Sequence, residues 1–344
     1  MISNEQLQQI REELDNCKKP LFFFHDDSDG LASFLLLYRY KKEGKGIIVK
    51  SDPTIDEKFI RKVQEYQPDK IFVLDLANLK QEFVDEVKKP IIWIDHHFGD
   101  EKIRNVKLFN PRLSDKKDSS PVSIICYNVV KQDLWIAAAG TIGDWHLTKE
   151  TEEFSKQYPE LLPKDIKKPG KALFESQIGK ISEIFNFVLK GKTQDAMTAV
   201  KVLTRIKEPE EILKQTTPQG KFIYKRYLFV REKYDELLNE AKKQITKDKL
   251  FIFKYQESKM SFSGELSNEF LYKYPEKIII VAREKSGEMK CSLRSASVKI
   301  LKPLEKALVG INGRGGGHEY ACGAVIKKED FDLFVDNLKR QLNI

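Results

Sequence analysis

The chain has 344 residues, with 60 Lys and Arg against 52 Asp and Glu for a formal charge of +8; 41% of the residues are apolar and 33% charged. This balance excludes a disordered chain and leaves room for two domains with buried cores, and the modest basic excess suits a polyanionic partner without requiring one. No apolar run approaches the about 18 residues of a bilayer span, the amino-terminal segment is charged rather than shaped like a signal peptide, and Cys17, Cys126, Cys291 and Cys322 show neither Cys-x-x-Cys spacing nor a disulfide framework. No membrane association is expected, and the expected location is a reducing cytoplasm.

In chain order, residues 21–24 (LFFF), 46–49 (GIIV), 71–76 (IFVLDL) and 91–95 (IIWID) read as buried strands. Between them LASFLLLYRYKK and IDEKFIRKVQEY have the length and pattern of crossover helices, which predicts a doubly wound, mostly parallel α/β sheet within residues 1–185. Residues 150–215 read as mostly helical, with LPKDIKKPGK as a solvated loop. Thr217 and Pro218 form a helix start, and Ile223, Tyr227, Val230, Tyr234, Leu237 and Ala241 make the apolar stripe of a long connecting helix, placing a helical linker over 186–248. From 249 to 344 a smaller α/β domain is expected, with strands LFIFKY, KIIIVARE, EMKCSLRS and ACGAVIK, helices near 265–273 and 299–308, and a closing helix EDFDLFVDNLKRQL.

The chemistry-bearing residues gather after the first-half strands. His25, Asp26, Asp27, Asp29 and Gly30 follow LFFF, Asp75 sits in IFVLDLA, and Asp95, His96 and His97 follow IIWI; Asp144, with His146 close behind, ends AAAGTIGD. In an open parallel sheet ligands bind beyond the carboxyl ends of the strands, so these groups should converge. Carboxylates at apolar strand ends are costly to bury unless paired or coordinating a cation. Asp27 and Asp29, two apart, are expected on one side of an extended segment, with Gly30 permitting the turn into the next helix. Adjacent imidazoles at a strand end allow one to ligate and the other to meet substrate. The mixed carboxylate and imidazole set favours Mn²⁺, Mg²⁺ or Co²⁺, and its size predicts two ions sharing a bridging carboxylate, which activate water and clamp a phosphoryl group. His146 is expected to be structural. In the second half, Arg314, Gly315, Gly316, Gly317 and His318 read as a glycine loop cradling phosphate, with Arg294 as a further anion contact.

The segments HDDSDG, VLDLA, IDHH, GTIGD and GRGGGHEYACG together resemble the DHH phosphoesterase family with its associated C-terminal domain, and within it the archaeal RecJ-like nucleases. The resemblance implies that Asp27 and Asp29 each serve one of two Mn²⁺ ions and that Asp75 bridges them. His25 then completes the first site, and His96 and Asp144 complete the second. It also implies that His97 faces the scissile phosphate, that Asp95 orients the histidines, and that Gly315–His318 bind substrate. The expected activity is hydrolysis of single-stranded DNA or RNA from an end, releasing mononucleotides. The alternatives are a phosphodiesterase of short oligonucleotides or cyclic dinucleotides and a replication-associated scaffold. A replication or repair protein is an expected partner.

Overall fold

The computed structural model describes residues 2–50, 53–98, 103–256 and 260–344. The chain divides into two compact units, Met1–Leu228 and Phe229–Ile344. Among the described residues no helix is long and apolar enough to cross a membrane.

The first unit opens with α1 (Asn4–Asp15), capped by Ser3, whose hydroxyl accepts from Gln6 N while the Gln6 side chain returns to Ser3 N. There follow β1 (Pro20–His25), α2 (Ser28–Lys41), β2 (Lys45–Val49), β3 (Thr54–Ile55), α3 (Ile60–Tyr66), β4 (Lys70–Leu74), β5 (Asn78–Leu79), α4 (Gln81–Val87), β6 (Ile91–Ile94) and β7 (Lys107–Phe109). Five of these strands form a parallel sheet in the order β2-β1-β4-β6-β7, and β3 pairs with β5. Counted among themselves, the five run 2-1-3-4-5, so the winding reverses between β1 and β4. A crevice therefore opens beyond their carboxyl ends. Both faces of β1 are buried, which is why it reads as an unbroken apolar run. Phe22 and Phe24 pack on Phe34 of α2, with ring centroids 5.6 and 4.7 Å apart, whereas Phe23 faces Phe59 and Phe83 on the opposite side.

α2 is buried all round from Ser28 to Leu37, enclosed by α5 (Val122–Val130) and α6 (Leu134–Gly143). The close approach of α6 needs Gly140, because a Cβ there would lie 2.6 Å from Ala32 Cβ. The helices α7 (Lys149–Gln157), α8 (Pro169–Glu175), α9 (Gln177–Val188), α10 (Thr193–Leu203) and α11 (Pro209–Leu213) complete the unit. The expected loop LPKDIKKPGK, residues 162–171, is not wholly solvated: Leu162 and Ile166 are buried and Pro169 begins α8.

α12 runs Pro218–Lys243, with Gly220 N donating to Thr217 Oγ1 at 3.1 Å as the capping residues predict. Its buried stripe is Ile223, Tyr227, Val230, Tyr234, Leu238 and Ala241. Leu238 takes the place expected for Leu237; the helical period allows either, and packing selects one. Tyr227 packs on Phe187 of the first unit, and Tyr234 Oη donates to Glu269 Oε2 of the second at 2.5 Å, so both halves of the stripe are covered by the chain itself.

The second unit contains β8 (Leu250–Tyr255), α13 (Ser263–Lys273), β9 (Ile278–Lys285), β10 (Glu288–Ser295), α14 (Leu301–Ala307), β11 (Gly313–His318), β12 (Ala321–Lys327) and α15 (Phe331–Leu342). The sheet order is β11-β12-β10-β9-β8, with only the β8–β9 pair parallel. Ile280, Leu293, Cys322 and Ile326 meet Leu304, Phe334 and Leu338 on one face, and Phe270 of α13 packs on Phe251 on the other. The glycine segment expected as a loop is the edge strand β11: Gly315, Gly316 and Gly317 oppose Ala324, Gly323 and Cys322. Pairing with β12 orders a segment that has no strand propensity of its own. All four cysteines are buried and unpaired with one another.

Candidate metal centre

β1 ends at His25, and Asp27 starts α2 as its N-cap, Oδ1 accepting from Gly30 N at 2.9 Å. A Cβ at Gly30 would lie 2.6 Å from His25 O, so the strand-to-helix turn depends on that glycine. Because the helix begins at Ser28, Asp27 and Asp29 do not share one side of an extended segment. Asp29 lies in the first turn, and its two oxygens accept from Val122 N (2.8 Å) and Ser123 N (3.0 Å) at the start of α5. Asp75 follows β4 immediately, in the left-handed region at φ 57° that a short polar side chain tolerates. Asp95, His96 and His97 follow β6, and Asp144 is the C-cap of α6.

These elements bring seven of the expected residues together. Three overlapping triads, His25–Asp27–Asp75, Asp75–His96–His97 and Asp29–His96–Asp144, each offer ligand atoms lying within 4.8 Å of one another. Asp75 stands at the centre, 1% exposed, and neither of its oxygens makes a hydrogen bond among the described residues; the same is true of Asp144 Oδ2. His96 Nε2 lies 3.4 Å from Asp75 Oδ1, His25 Nδ1 3.6 Å from Asp75 Oδ2, and His97 Nδ1 3.8 Å from Asp75 Oδ1. Buried carboxylate oxygens without partners, ringed by imidazole nitrogens just beyond hydrogen-bond reach, are what a cation-binding pocket requires. The donor set is oxygen and nitrogen, which fits Mn²⁺, Mg²⁺ or Co²⁺. Burial pushes the thiol of the neighbouring Cys126 strongly up, away from the ligating thiolate form.

Further groups fix the rings. His96 Nδ1 donates to Ser119 O at 3.1 Å, leaving Nε2 as the nitrogen turned toward Asp75. Asp95 Oδ1 accepts from His97 Nδ1 at 2.8 Å while Oδ2 accepts from His97 N at 3.0 Å. The electrostatics have one pattern. Burial and the charges of Asp75 and Asp144 push the Asp29 carboxyl up to about 8, although Val122 N and Ser123 N pull the other way. Burial and Asp27 also raise Asp75. Burial opposes charge on His25 and His96, yet Asp27 holds the first ring, and Asp144 with Asp75 the second, well above the ordinary imidazole value. Asp95 likewise raises His97 against the effect of burial. The centre is rich in carboxylates and draws positive charge.

Sequence reasoning missed the supporting groups. Asn110 Nδ2 donates to His97 O at 2.9 Å, and Arg112 Nε to His96 O. They act through backbone carbonyls and so leave no motif. His146 Nδ1 donates to Asp144 O at 2.6 Å, and its Nε2 meets Ser119 Oγ at 3.0 Å, which joins it to the residue that holds His96. Its closeness to Asp144 in the chain was the one available signal.

In the second unit, Arg314 and Gly315–His318 lie on β11. Gly317 has φ 137°, and a Cβ at Gly315 would lie 2.9 Å from Gly323 O; a Cβ at Gly316 would meet nothing within 4 Å. The bare backbone at Gly316 therefore answers no steric demand of the fold. Arg294 is held by Asn268 Oδ1 at 2.8 Å and by the carbonyls of Leu293 and Cys322.

Residues 21–162 match the DHH family N-terminal domain, and residues 247–343 match the DHHA1 domain. Among solved structures, RecJ of Thermus thermophilus in complex with Mn²⁺ superposes with a TM-score of 0.73 at 16% identity, covering 98% of this chain and 54% of that one. The exonuclease RecJ bound to manganese gives 0.64 at 15%, covering 99% and 94%. The DHH domain of a protein described as a member of a ribosomal-protein family gives 0.66 at 14%, covering 98% and 89%. The chain thus spans about half the length of the Thermus protein, and identities at this level speak to fold alone. No curated protein matches by sequence. The chain belongs to the DHH phosphoesterase family, with a C-terminal DHHA1 domain and a RecJ-like fold.

Proposed function

We propose that this DHH phosphoesterase is a two-metal phosphodiesterase that removes mononucleotides from an end of single-stranded DNA or RNA. The observation that carries this reading is the gathering of six further ligand-type residues around the buried carboxylate of Asp75, whose oxygens make no hydrogen bond among the described residues. His25 and Asp27 would hold one ion, Asp29, His96 and Asp144 the other, and Asp75 both; Mn²⁺ is the proposed occupant, with Mg²⁺ or Co²⁺ serving the same donors. When bound, such a pair supplies Lewis acidity toward the phosphoryl oxygens and lowers the pKa of water.

The chain's own groups do the rest. Asp95 accepts the Nδ1 proton of His97 in a hydrogen bond and so fixes the ring. The same carboxylate favours the charged form of that ring, which can donate from Nε2 to a phosphate oxygen as negative charge builds. Asp95 thus acts as a positioning residue and His97 as the catalytic one. Arg314, the backbone of Gly315–Gly317 and His318 would grip a phosphate, with Arg294 as a supporting contact. A single-stranded substrate suits the charge of +8.

The test is Mn²⁺-dependent turnover of end-labelled dinucleotides and of strands about 30 nucleotides long, as DNA and as RNA. Hydrolysis that disappears with chelator and falls at least about 10³-fold in Asp75→Ala and His96→Ala is expected, since several kcal/mol of transition-state stabilisation go with the ions. Normal cleavage by either variant would remove the assigned centre. Turnover confined to dinucleotides would mark a short-oligonucleotide enzyme instead.

A further inference from the structure

On β9 and β10 of the second unit, Ile280, Ala282, Met289 and Cys291 belong to the core on the α14 and α15 side of the sheet. By the alternation of a strand, Arg283 and Lys290 face the other way. They stand directly opposite each other in the antiparallel pair, an arrangement of like charges that destabilises a sheet. Arg283 is only 6% exposed, and its Nε is buried without a hydrogen bond. Neither cation forms an ion pair among the described residues. A guanidinium buried without a carboxylate is costly to the fold. What it faces is the start of α13. Its in-register neighbour on β8 is Tyr255, whose side chain shares that face. The Tyr255 hydroxyl accepts from Phe262 N at 3.0 Å and lies 3.0 Å from Ser263 Oγ, so the first turn of α13 sits at the level of Arg283. Phe251, further back on β8, meets the helix only at Phe270. No side chain caps α13, and the N–H groups of Ser263 and Gly264 find no acceptor among the described residues. There is room beside this turn, because a Cβ at Gly264 would meet nothing within 4 Å. Unmet amides at the positive end of a helix, together with a buried unpaired guanidinium and a neighbouring ammonium, are complementary to an oxyanion.

We propose that Arg283, Lys290 and the first-turn amides of α13 form a binding site for a phosphate group, additional to the glycine strand β11. The ligand supplies the negative charge that the fold withholds from Arg283, and it needs no metal, so the site goes beyond the hydrolytic reading. The same cross-strand row continues through Val325 of β12 to Arg314 of β11. A nucleic-acid strand crossing this face of the sheet would therefore meet cations at both ends of the row.

The test uses the full-length protein in chelator, so that no metal holds phosphate or promotes cleavage, as wild type, Arg283→Met and Lys290→Gln. One probe is inorganic phosphate, followed by Tm. The other is a fluorescein-labelled thymidine oligonucleotide of about 10 residues, followed by anisotropy over a range of salt concentrations. Without ligand, Arg283→Met should melt above wild type, because an unpaired buried charge has been removed. Phosphate should raise the Tm of wild type more than that of either variant. The oligonucleotide should bind each variant about tenfold more weakly, and the slope of log K against log salt should become shallower by about 0.7 for the cation removed. Weaker oligonucleotide binding identifies the ligand as a strand phosphate; a loss confined to inorganic phosphate identifies a free phosphate at the same site. A ligand-free Tm lowered in Arg283→Met would give the guanidinium a structural role and overturn the site. So would an unchanged phosphate shift together with unchanged oligonucleotide affinity in both variants. None of these readouts involves hydrolysis, so failure of the phosphodiesterase reading would leave them standing.

Discussion

Asp75 concentrates the chemistry of the centre in one side chain. It is buried and in the left-handed region, and its carboxylate oxygens make no hydrogen bond among the described residues while three imidazoles stand 3.4–3.8 Å away. A fold that keeps a charge in this condition spends stability for function. Asp75→Asn, which keeps the shape and removes the charge, is therefore expected to raise the metal-free protein's stability by about 1 kcal/mol while abolishing Mn²⁺-dependent turnover; melts in chelator and activity assays check the two halves. The pH dependence follows the same logic. Burial and the charges of Asp75 and Asp144 push the Asp29 carboxyl up to about 8 from an ordinary 3.8, and the surrounding carboxylates hold His25 and His96 above the ordinary 6.5. In each case the folded state binds more protons than the unfolded one, so the metal-free protein loses stability as pH rises, first through Asp29 and then, above the ordinary imidazole value, through the histidines as well. A bound metal would replace those protons. The Mn²⁺-induced rise in Tm should accordingly grow between about pH 5 and about pH 8; thermal melts with and without Mn²⁺ measure it, and a shift that is flat or shrinks with pH would contradict the electrostatics.

At the scale of the element, Asp27 does two jobs that a pair of substitutions separates. One oxygen caps α2 through Gly30 N, and the other faces His25 Nδ1 at 2.7 Å. Asp27→Asn retains a cap and should hold the metal-free Tm while losing metal affinity; Asp27→Ala should also lose about 1 kcal/mol of stability. On β11, Gly316→Ala meets no neighbour, so stability should be unchanged while KM rises about tenfold if that backbone contacts a phosphate. The elements legible from sequence were those with strong local signals: the apolar runs of β1, β2, β4 and β6, and the Thr217–Pro218 start of α12. β7 and β11 were not legible. Each is ordered by a neighbouring strand rather than by its own composition, and glycine-rich β11 reads locally as a loop.

Across the whole molecule, convergence of the centre was readable in part because topology dictates it. His25 and Asp75 end the two strands on either side of the winding reversal, and His96 and His97 follow the next strand over. Asp144 arrives differently, on the end of a helix that Gly140 lets settle against α2, and no strand rule predicts that. Ser119, Asn110 and Arg112 were invisible because they hold the histidines through backbone carbonyls and hydroxyls. The division of the chain inside α12 likewise leaves no mark in composition, since one apolar stripe serves both units. The central claim is that one buried carboxylate organises two metal ions, and equilibrium dialysis against Mn²⁺ tests it most directly. Two ions bound per wild-type chain and no more than one per Asp75→Asn chain is the predicted result; a single ion on the wild type, or two retained by the variant, would contradict it.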